Sequence, residues 1–343
     1  MTGFSDFKIF NPQGTDSLES RKVWKGDSTR LCNLNNIAYP WAYQIWKQMR
    51  EQFWVAEKVD TTSDVTDYTN LTEAERKAYD GVLSYLTFLD SVQTENLPFV
   101  KTPITAPEVS IALGEQLSQE TLHNQSYQVL IENIIPSDRR NQVYDFWRED
   151  KVLKERCGFI ASLYQQYIDD KTEENYFISL VADYLLEGLY FFNGFTFFYN
   201  LASRQLMPGS ADMIKLINRD ELSHKRLFQK LLQEGMKTFP HSQEQILEMT
   251  DKAVNQEILW TNHIIGDEIL GITSQTTEAY SKYLGNKLLK AIGLPTLYEE
   301  VKNPYKHLEQ FADLEDEAST KGNFFEASVT SYNMSQSLEG WDF

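Results

Sequence analysis

The sequence predicts an all-α protein, built as a bundle of long helices. Apolar residues recur at helical spacing over most of the 343 residues, and no stretch of more than four residues alternates as a strand does. Proline and glycine number only 10 and 16, and they cluster between the periodic stretches. Four or more of the predicted helices exceed 20 residues, a length that favours a bundle.

Capping residues and punctuation predict the helices in chain order. Pro40 opens the first helix. Residues 72–75 (Thr-Glu-Ala-Glu) have the form of a capping box, which opens a second helix that ends near Pro98. Residues 105–108 (Thr-Ala-Pro-Glu) are predicted to form another box, which opens a helix to about Ile135. The remaining helices are expected at about 138–150, 151–169, 173–204, 211–235, 240–270 and 275–291.

The charge of the chain excludes several classes of partner. With 32 basic and 50 acidic residues the net charge is −18, so the surface repels nucleic-acid phosphates and anionic lipid. The longest apolar run, residues 188–202, is short for a bilayer span, and the first eight residues lack the form of an export signal. Two cysteines form neither a disulfide framework nor a zinc pattern. We therefore expect a soluble, cytoplasmic protein that binds neither nucleic acid nor membranes.

Composition divides the chain into one helical domain, residues 1–312, and a flexible tail, residues 313–343. The tail is acidic at first and then rich in serine and asparagine, with too few apolar residues to fold alone. Such a tail is usually a frayed terminus. It ends with Trp341 and Phe343, and two aromatic residues among the last three favour a peptide that docks on a partner.

Two of the five histidines lie in the same local pattern. Glu120 precedes His123, and Glu221 precedes His224, in each case by three residues on a predicted helix. This spacing places a carboxylate and an imidazole on one helix face. Bundles that hold two metal ions use such a pair from each of two helices, together with one acid from each of two others. The pattern therefore predicts a metal site.

The scheme requires one further acid inside an apolar stripe, about a helical hairpin before each pair. Asp90 stands 30 residues before Glu120, and Glu187 stands 34 residues before Glu221, both among apolar neighbours. An unpaired carboxylate on a buried face costs several kcal/mol unless a cation or a donor meets it. Both required acids are therefore present.

Four carboxylates and two imidazoles suit a pair of iron or manganese ions. Zinc favours fewer ligands and more sulfur, and calcium favours oxygen alone. The alternative is that one or both histidines are ordinary core or surface residues. His241, His263 and His307 lack the pattern and are predicted to be structural.

Tyr127 follows His123 by four residues on the same helix face. Its phenol would lie just beyond the candidate ligands, where an oxidised metal pair could remove one electron and one proton. A buried core tyrosine is the alternative in a chain with 18 tyrosines, and position alone leaves both interpretations open.

These motifs resemble the small, radical-generating subunit of class I ribonucleotide reductase, over roughly residues 41–291 and the tail. The family element Ser-x-Glu-Thr-x-His-x-x-Ser-Tyr stands at residues 118–127, and the element Arg-Asp-Glu-x-x-His stands at 219–224. The resemblance implies a ferritin-like helical bundle with a di-metal carboxylate core. It makes Tyr127 the radical tyrosine and gives six metal ligands, which are Asp90, Glu120, His123, Glu187, Glu221 and His224.

The resemblance also assigns roles to residues that the pattern alone does not single out. Asp220 matches the acid that binds the first ligand histidine, and Trp54 matches a tryptophan on the electron route near the metal. Tyr332 matches the tail tyrosine that relays the radical. Without the resemblance, Trp54 would be interpreted as an ordinary core tryptophan, and Tyr332 as a solvent-exposed tyrosine of the tail. An apolar wall around the radical is implied at Phe191, Phe195 and Ile217, which would pack in the core in either case.

The implied function is that of the small subunit of ribonucleoside-diphosphate reductase. Two iron or two manganese ions per chain would generate an oxidising equivalent, stored at Tyr127 and passed to a large catalytic subunit that reduces ribonucleotides. A homodimer is implied, and a flavodoxin-like activator is a further candidate partner. The manganese–iron variant of the family carries other residues at positions 90 and 127, where this chain has aspartate and tyrosine. The metal-free variant replaces ligands by neutral residues, and this chain has no such replacement. The tail end resembles the flavodoxin-activated subclass whereas residues 95–110 do not, so the subclass stays open.

Two rival interpretations remain at this level. Another di-metal bundle could be an iron store, an acyl-carrier desaturase or a ligand-binding oxidase, although Tyr127 and the aromatic tail speak against these. A helical interaction protein without any metal is the second rival.

Overall fold

The computed structural model of the protein describes residues 8–239 and 241–308, and every regular element within these ranges is helical. Short 3-10 turns lie at Leu18–Ser20, Ala56–Lys58 and Lys306–Leu308, and a π turn at Leu186–Tyr190 joins α7 to α8. Tyr332 and the predicted tail, residues 313–343, lie outside the described residues. The α-helices are α1 (Pro40–Glu51), α2 (Asp64–Asn70), α3 (Glu73–Lys101), α4 (Pro107–Ile134), α5 (Arg140–Glu149), α6 (Lys151–Asp169), α7 (Glu173–Leu185), α8 (Phe192–Ser203), α9 (Pro208–Thr238), α10 (Gln243–Ile264) and α11 (Ser274–Ala291).

The long helices that the sequence predicts are present. Helices α3, α4, α9 and α10 contain 29, 28, 31 and 22 residues. The capping box before α3 forms as predicted: the Thr72 hydroxyl accepts the Glu75 N–H at 3.2 Å, and the Glu75 carboxylate accepts the Thr72 N–H at 2.9 Å. The all-α bundle is therefore confirmed in the described part of the chain.

The second predicted capping box, at residues 105–108, is wrong. Pro107 takes the first helical position of α4, so Ala106 is the cap and Thr105 is one residue too early to reach the third N–H. The Thr105 hydroxyl donates instead to the Ser20 carbonyl at 2.9 Å. The Glu108 carboxylate accepts the N–H groups of residues 38 and 39, at 2.7 and 2.8 Å. These two residues therefore fasten the N-terminal segment to the bundle.

The predicted continuous helix over 173–204 is interrupted. It divides into α7, the π turn and α8, and residues 175–201 are all buried. A π turn contains one more residue than an α-helical turn, and such turns are common at functional sites. Hydrophobic periodicity did not reveal the break, because every face of this central helix is buried and apolar residues therefore occupy all of them.

Several helix ends also differ from the prediction. Helix α3 continues through Pro98 to Lys101, because a proline near the helix end removes only one backbone hydrogen bond. Helix α10 ends at Ile264, short of the predicted end near residue 270. Gly266 follows with φ of 61°, a conformation that glycine adopts without strain, and its N–H bonds the carbonyl of residue 261.

The start of α9 depends on a helix that the sequence did not predict. Helix α9 begins at Pro208 and not near residue 211. Asp64, on the seven-residue helix α2, accepts the N–H groups of Gly209 at 3.0 Å and Ser210 at 2.6 Å. This side chain caps α9 from a distant part of the sequence, which local reading could not show.

One contiguous apolar cluster fills the bundle. Helix α3 packs against α4, and α9 packs against both α7 and α8, so these elements surround a common interior. None of the helices within the described ranges has the length and apolar character that a bilayer crossing requires.

Candidate metal centre

The six acids and imidazoles singled out by the sequence meet inside the bundle. Asp90 lies on α3, Glu187 lies on the π turn, and α4 and α9 contribute one Glu-x-x-His pair each. All six side chains are 0% exposed. They form two groups, within each of which the candidate ligand atoms lie within 4.8 Å of one another. The first group is Asp90, Glu120, His123 and Glu221, and the second is Glu120, Glu187, Glu221 and His224.

Two carboxylates belong to both groups, a point that the sequence left undecided. Glu120 Oε1 lies 3.1 Å from His224 Nδ1, and Glu221 Oε1 lies 3.0 Å from His123 Nδ1. Each shared acid thus reaches the histidine of the opposite helix. Carboxylates in this position can bridge two cations.

The polar atoms of this cluster test whether cations fit it. Burying a charged atom without a partner is costly, yet several candidate ligand atoms make no hydrogen bond within the described ranges. Oxygen and nitrogen donors of this kind suit divalent iron or manganese, so the residues present fit a pair of such ions. Glu120 Oε2 and Glu187 Oε2 are among the atoms without a hydrogen bond in the described part of the chain.

Charge repulsion between the acids of the cluster also indicates that cations fit this site. Burial, followed by the charges of Glu120 and Glu221, raises the pKa of Asp90 well above its usual range. Burial and the same two acids likewise raise the pKa of Glu187. Burial also opposes the charge on Glu221, but attraction to the two histidines outweighs it and lowers the pKa of that carboxyl. The acids therefore need positive charge nearby in order to stay ionised together.

Each histidine turns Nδ1 towards the acids and Nε2 towards an outer partner. His123 Nε2 lies 3.4 Å from Asp220 Oδ2, and His224 Nε2 lies 3.0 Å from Gln119 Oε1. Such outer partners fix the tautomer and the ring orientation of a metal-binding histidine. Asp220 thus lies where the resemblance implied, whereas Gln119 was missed. The sequence did contain a signal for Gln119, because a polar residue immediately precedes the glutamate in both Glu-x-x-His pairs.

Glu187 is held by two amide side chains that sequence reasoning also missed. Its Oε1 accepts Gln93 Nε2 and Gln116 Nε2, each at 2.8 Å. Gln93 follows Asp90 by three residues, and Gln116 precedes Glu120 by four, so both amides share a helix face with a candidate ligand. One oxygen of Glu187 is therefore fixed while Oε2 stays in the cluster.

Tyr127 lies in the core next to the first group. The side chain is fully buried, and its hydroxyl interacts with the Asp90 carboxylate. Burial, followed by the charge of Asp90, raises the pKa of Tyr127 well above 10 and keeps it a phenol. The residues of the expected apolar wall, Phe191, Phe195 and Ile217, are also buried. Their position around the phenol stays a prediction.

Trp54 is connected to the first group through Asp220. Helix α1 ends at Glu51, so Trp54 lies in the segment that follows the helix. Its indole Nε1 donates to Asp220 Oδ2 at 2.7 Å, and this is the oxygen that faces His123. The ring centroids of Trp54 and His123 are 6.4 Å apart. An unbroken series of polar contacts thus leads from the cluster to Trp54.

The remaining histidines lie outside both groups of candidate ligands in the described part of the chain. His263 Nε2 contacts Asp150 Oδ2 at 2.6 Å, and His241 Nδ1 contacts the Phe239 carbonyl at 2.8 Å. His307 lies in the final 3-10 turn. Their structural roles stay predictions.

Comparisons with known proteins give a consistent picture. Residues 31–304 match the family model described as "Ribonucleotide reductase, small chain". The chain is 37% identical to the ribonucleoside-diphosphate reductase subunit beta of Treponema pallidum, covering 96% of this chain and 95% of that protein. It is 33% identical to the protein of the same name from Halalkalibacterium halodurans, covering 96% of both chains.

Solved structures show the same likeness. The ribonucleotide reductase R2 subunit from Clostridium botulinum superposes with a TM-score of 0.85 and 39% identity, over 89% of this chain and 97% of that chain. The dimanganese(II)-NrdF of Streptococcus sanguinis superposes with a TM-score of 0.73, over 82% and 98% of the two chains. Its sequence identity is 19%, so this second match bears on the fold alone.

Proposed function

The chain belongs to the ribonucleotide reductase small-chain family, and from that premise we propose that it generates an oxidising equivalent, stores it on Tyr127 and delivers it to the large subunit. The fold is the ferritin-like helical bundle of this family, and the family implies a large subunit as partner. The observation that carries the proposal is the buried cluster of four carboxylates and two imidazoles, divided into two groups that share Glu120 and Glu221.

In this proposal Asp90, Glu120 and His123 hold one ion, and Glu187, Glu221 and His224 hold the other. Oxygen and imidazole donors suit iron and manganese alike, so either two iron or two manganese ions per chain are proposed. Once bound and oxidised, such a pair supplies a one-electron oxidant beside Tyr127.

Tyr127 is suited to hold the oxidising equivalent. Loss of one electron makes a phenol a strong acid, so in this proposal the hydroxyl proton passes from Oη to the neighbouring Asp90 carboxylate and a neutral radical remains. Full burial keeps water and reductants away from the ring.

The proposed exit route begins at His123, Asp220 and Trp54. The Asp220 carboxylate joins the other two side chains, at 3.4 Å from the imidazole and 2.7 Å from the indole. From Trp54 the oxidising equivalent is proposed to pass to Tyr332 and on to the large subunit. Tyr332 lies outside the described residues, and its role rests on the family resemblance.

Assembly forms a further part of the proposal. The family resemblance supports a homodimer, a cytoplasmic location, a tail over residues 313–343 that docks on the large subunit, and a flavodoxin-like activator as a candidate partner. The acidic composition, with a net charge of −18, supports the absence of nucleic-acid and membrane binding.

Reconstitution with metal tests the function directly. The full-length chain is freed of metal, loaded with ferrous iron and exposed to air, and iron content is measured together with the electron spin resonance spectrum. We expect about two ions per chain and a tyrosyl signal. Two ions without that signal would refute the storage of the oxidising equivalent on Tyr127. No bound metal, with iron or with manganese, would leave only a structural helical protein.

A further inference from the structure

A buried ion pair lies outside both groups of candidate ligands. Arg156 on α6 and Glu257 on α10 are 1% and 0% exposed. Both Nε and Nη2 of Arg156 lie 2.6 Å from Glu257 Oε1. Two charges removed from water in this way are costly to bury and are often replaceable by apolar residues without loss of stability. The burial of this pair therefore indicates a role other than general stability.

The guanidinium group of Arg156 occupies a cage of aromatic rings. Its Cζ lies 4.2 Å from the ring centroid of Tyr85, 4.6 Å from that of Tyr190 and 5.0 Å from that of Trp260. Cations are attracted to aromatic faces at these distances, and the planar guanidinium stacks on them as an ammonium group cannot. The side chain is thus fixed in one position and orientation.

From that position Arg156 binds the backbone of the π turn. Its Nη2 donates to the carbonyl of Tyr190, the last residue of the turn, at 2.6 Å. A bond from a charged donor is stronger than one between neutral groups. Glu187, the candidate ligand on this turn, lies three residues earlier. The bond therefore fixes the end of the turn that follows the ligand.

Glu257 holds the next part of the same junction. Its Oε2 accepts Asn193 Nδ2 on α8 at 3.2 Å, and the same amide donates to Ser281 Oγ on α11 at 2.9 Å. The ion pair thus contacts the chain on both sides of the link between the π turn and α8. Arg156 and Glu257 together fasten that link to α6, α10 and α11.

A π turn needs such support because the regular helix competes with it. Its hydrogen bonds skip one more residue than those of an α-helix. Reversion to regular helix would move each later side chain by one position, about 100° around the axis. Such a shift around Glu187 would take its carboxylate away from the other acids.

We propose that Arg156 and Glu257 are positioning residues for the second metal-binding group, holding the π turn so that Glu187 meets Glu120, Glu221 and His224. The inference rests on the proposed di-metal function. It predicts a selective effect, because the first group, Asp90, Glu120, His123 and Glu221, draws on α3, α4 and α9 and on no residue of the π turn.

A double variant, Arg156→Met with Glu257→Leu, separates positioning from stability. It removes both charges, so neither remains buried alone, but it also removes the bonds to Tyr190 and Asn193. The full-length, metal-free chain is titrated with manganese(II), and the free ion is followed by electron spin resonance. We expect one ion to bind as in the wild type and the second to bind about 10-fold or more weakly. The matched control removes another ion pair, with Arg139→Met and Asp80→Leu, and should bind both ions normally.

Thermal unfolding of the same metal-free proteins completes the test. A wild-type melting temperature together with a weakened second ion supports positioning. Unchanged binding of both ions overturns the proposal, and so does equal weakening of both ions with a lower melting temperature. If the double variant does not fold, Arg156→Lys keeps the charge without the planar fork, and the same criteria apply. Failure of the wild type to bind two ions would refute the proposed function itself, before any substitution is made.

Discussion

At the scale of single residues, the two candidate ligand helices support each other's histidines. Asp220 on α9 faces His123 on α4, and Gln119 on α4 faces His224 on α9. In each helix the outer partner immediately precedes the shared glutamate. One short sequence pattern, used twice, therefore supplies an acid that belongs to both groups, a histidine and the partner of the opposite histidine.

Tyr127→Phe tests the proposed radical residue. Removing the hydroxyl takes away only its interaction with Asp90, so the free energy of unfolding should change by about 1 kcal/mol. We expect wild-type metal content, no tyrosyl signal and no turnover with the large subunit. Tyr176→Phe, another buried tyrosine, should keep the signal. Full nucleotide reduction by the Tyr127 variant would contradict the assigned role.

Asp183, buried four residues before Glu187, should make stability depend on pH. Burial raises the pKa of Asp183 to about 8, although bonds from neighbours such as Asn96 lower it in part. The titratable neighbours are Tyr164 and Glu120. The folded chain thus holds a proton that the unfolded chain, with a carboxyl pKa near 3.9, releases. Asp183 alone should therefore contribute a fall in stability of about 1.4 kcal/mol per pH unit between about pH 5 and 7.

Asp183→Asn removes this proton equilibrium. The free energy of unfolding of the metal-free proteins is measured in urea at pH 5, 6 and 7. The variant should lack the part of the pH dependence that Asp183 contributes, so its stability relative to the wild type should increase as pH rises. Asp169→Asn, at the exposed end of α6, should keep the wild-type slope. Parallel curves for the wild type and Asp183→Asn would show that Asp183 is not the group responsible.

At the scale of elements, the break between α7 and α8 distinguishes this bundle from a set of regular helices. The π turn carries Glu187, and α8 then passes close to α3. A Cβ added to Gly194 on α8 would lie 2.1 Å from the Tyr85 hydroxyl on α3. Tyr85 cannot easily yield, because its ring packs against Trp260 and Arg156. The contact between α3 and α8 thus depends on a glycine.

Gly194→Ala should therefore lower the free energy of unfolding by about 1–3 kcal/mol, the usual cost of overpacking. Gly158→Ala is the matched control, since Gly158 lies on α6 with nothing within 4 Å of the added Cβ. That substitution should raise stability by about 0.5–1 kcal/mol, because alanine is the better helix former. Denaturant unfolding measures both changes. Equal effects at the two glycines would contradict the close packing.

At the scale of the whole molecule, the described chain contains an internal candidate metal centre, and the family implies a large subunit as partner. In the proposed function, the oxidising equivalent has to leave a buried site and reach another protein. Trp54 begins the proposed route, and the tail, residues 313–343, is proposed to complete it.

Deletion of residues 325–343 tests whether the tail is needed for transfer to the large subunit but not for radical formation. We expect the truncated chain to take up metal and form the tyrosyl signal as the full chain does, because the candidate ligands and Tyr127 all lie outside the deleted segment. Turnover with the large subunit should be lost. Activity assays together with electron spin resonance distinguish the two effects, and full activity of the truncated chain would refute a docking role.

The sequence by itself determined the helical class and the six residues of the cluster. Both follow from local spacing: apolar periodicity marks the helices, and Glu-x-x-His together with an acid inside an apolar stripe marks the candidate ligands. Their coordination of metal stays a prediction. The capping box at 105–108 and the unbroken helix over 173–204 were wrong, because a neighbouring proline and complete burial override local patterns.

Only the tertiary structure decided how these residues meet. It showed that Glu120 and Glu221 belong to both groups, that Gln93 and Gln116 hold Glu187, and that the Arg156–Glu257 pair binds the π turn. The physical reason is separation along the chain. Arg156 and Glu257 are 101 residues apart, and Gln93 and Glu187 are 94 apart. No local periodicity can encode distances of this kind, which are set when packed helices bring distant side chains together.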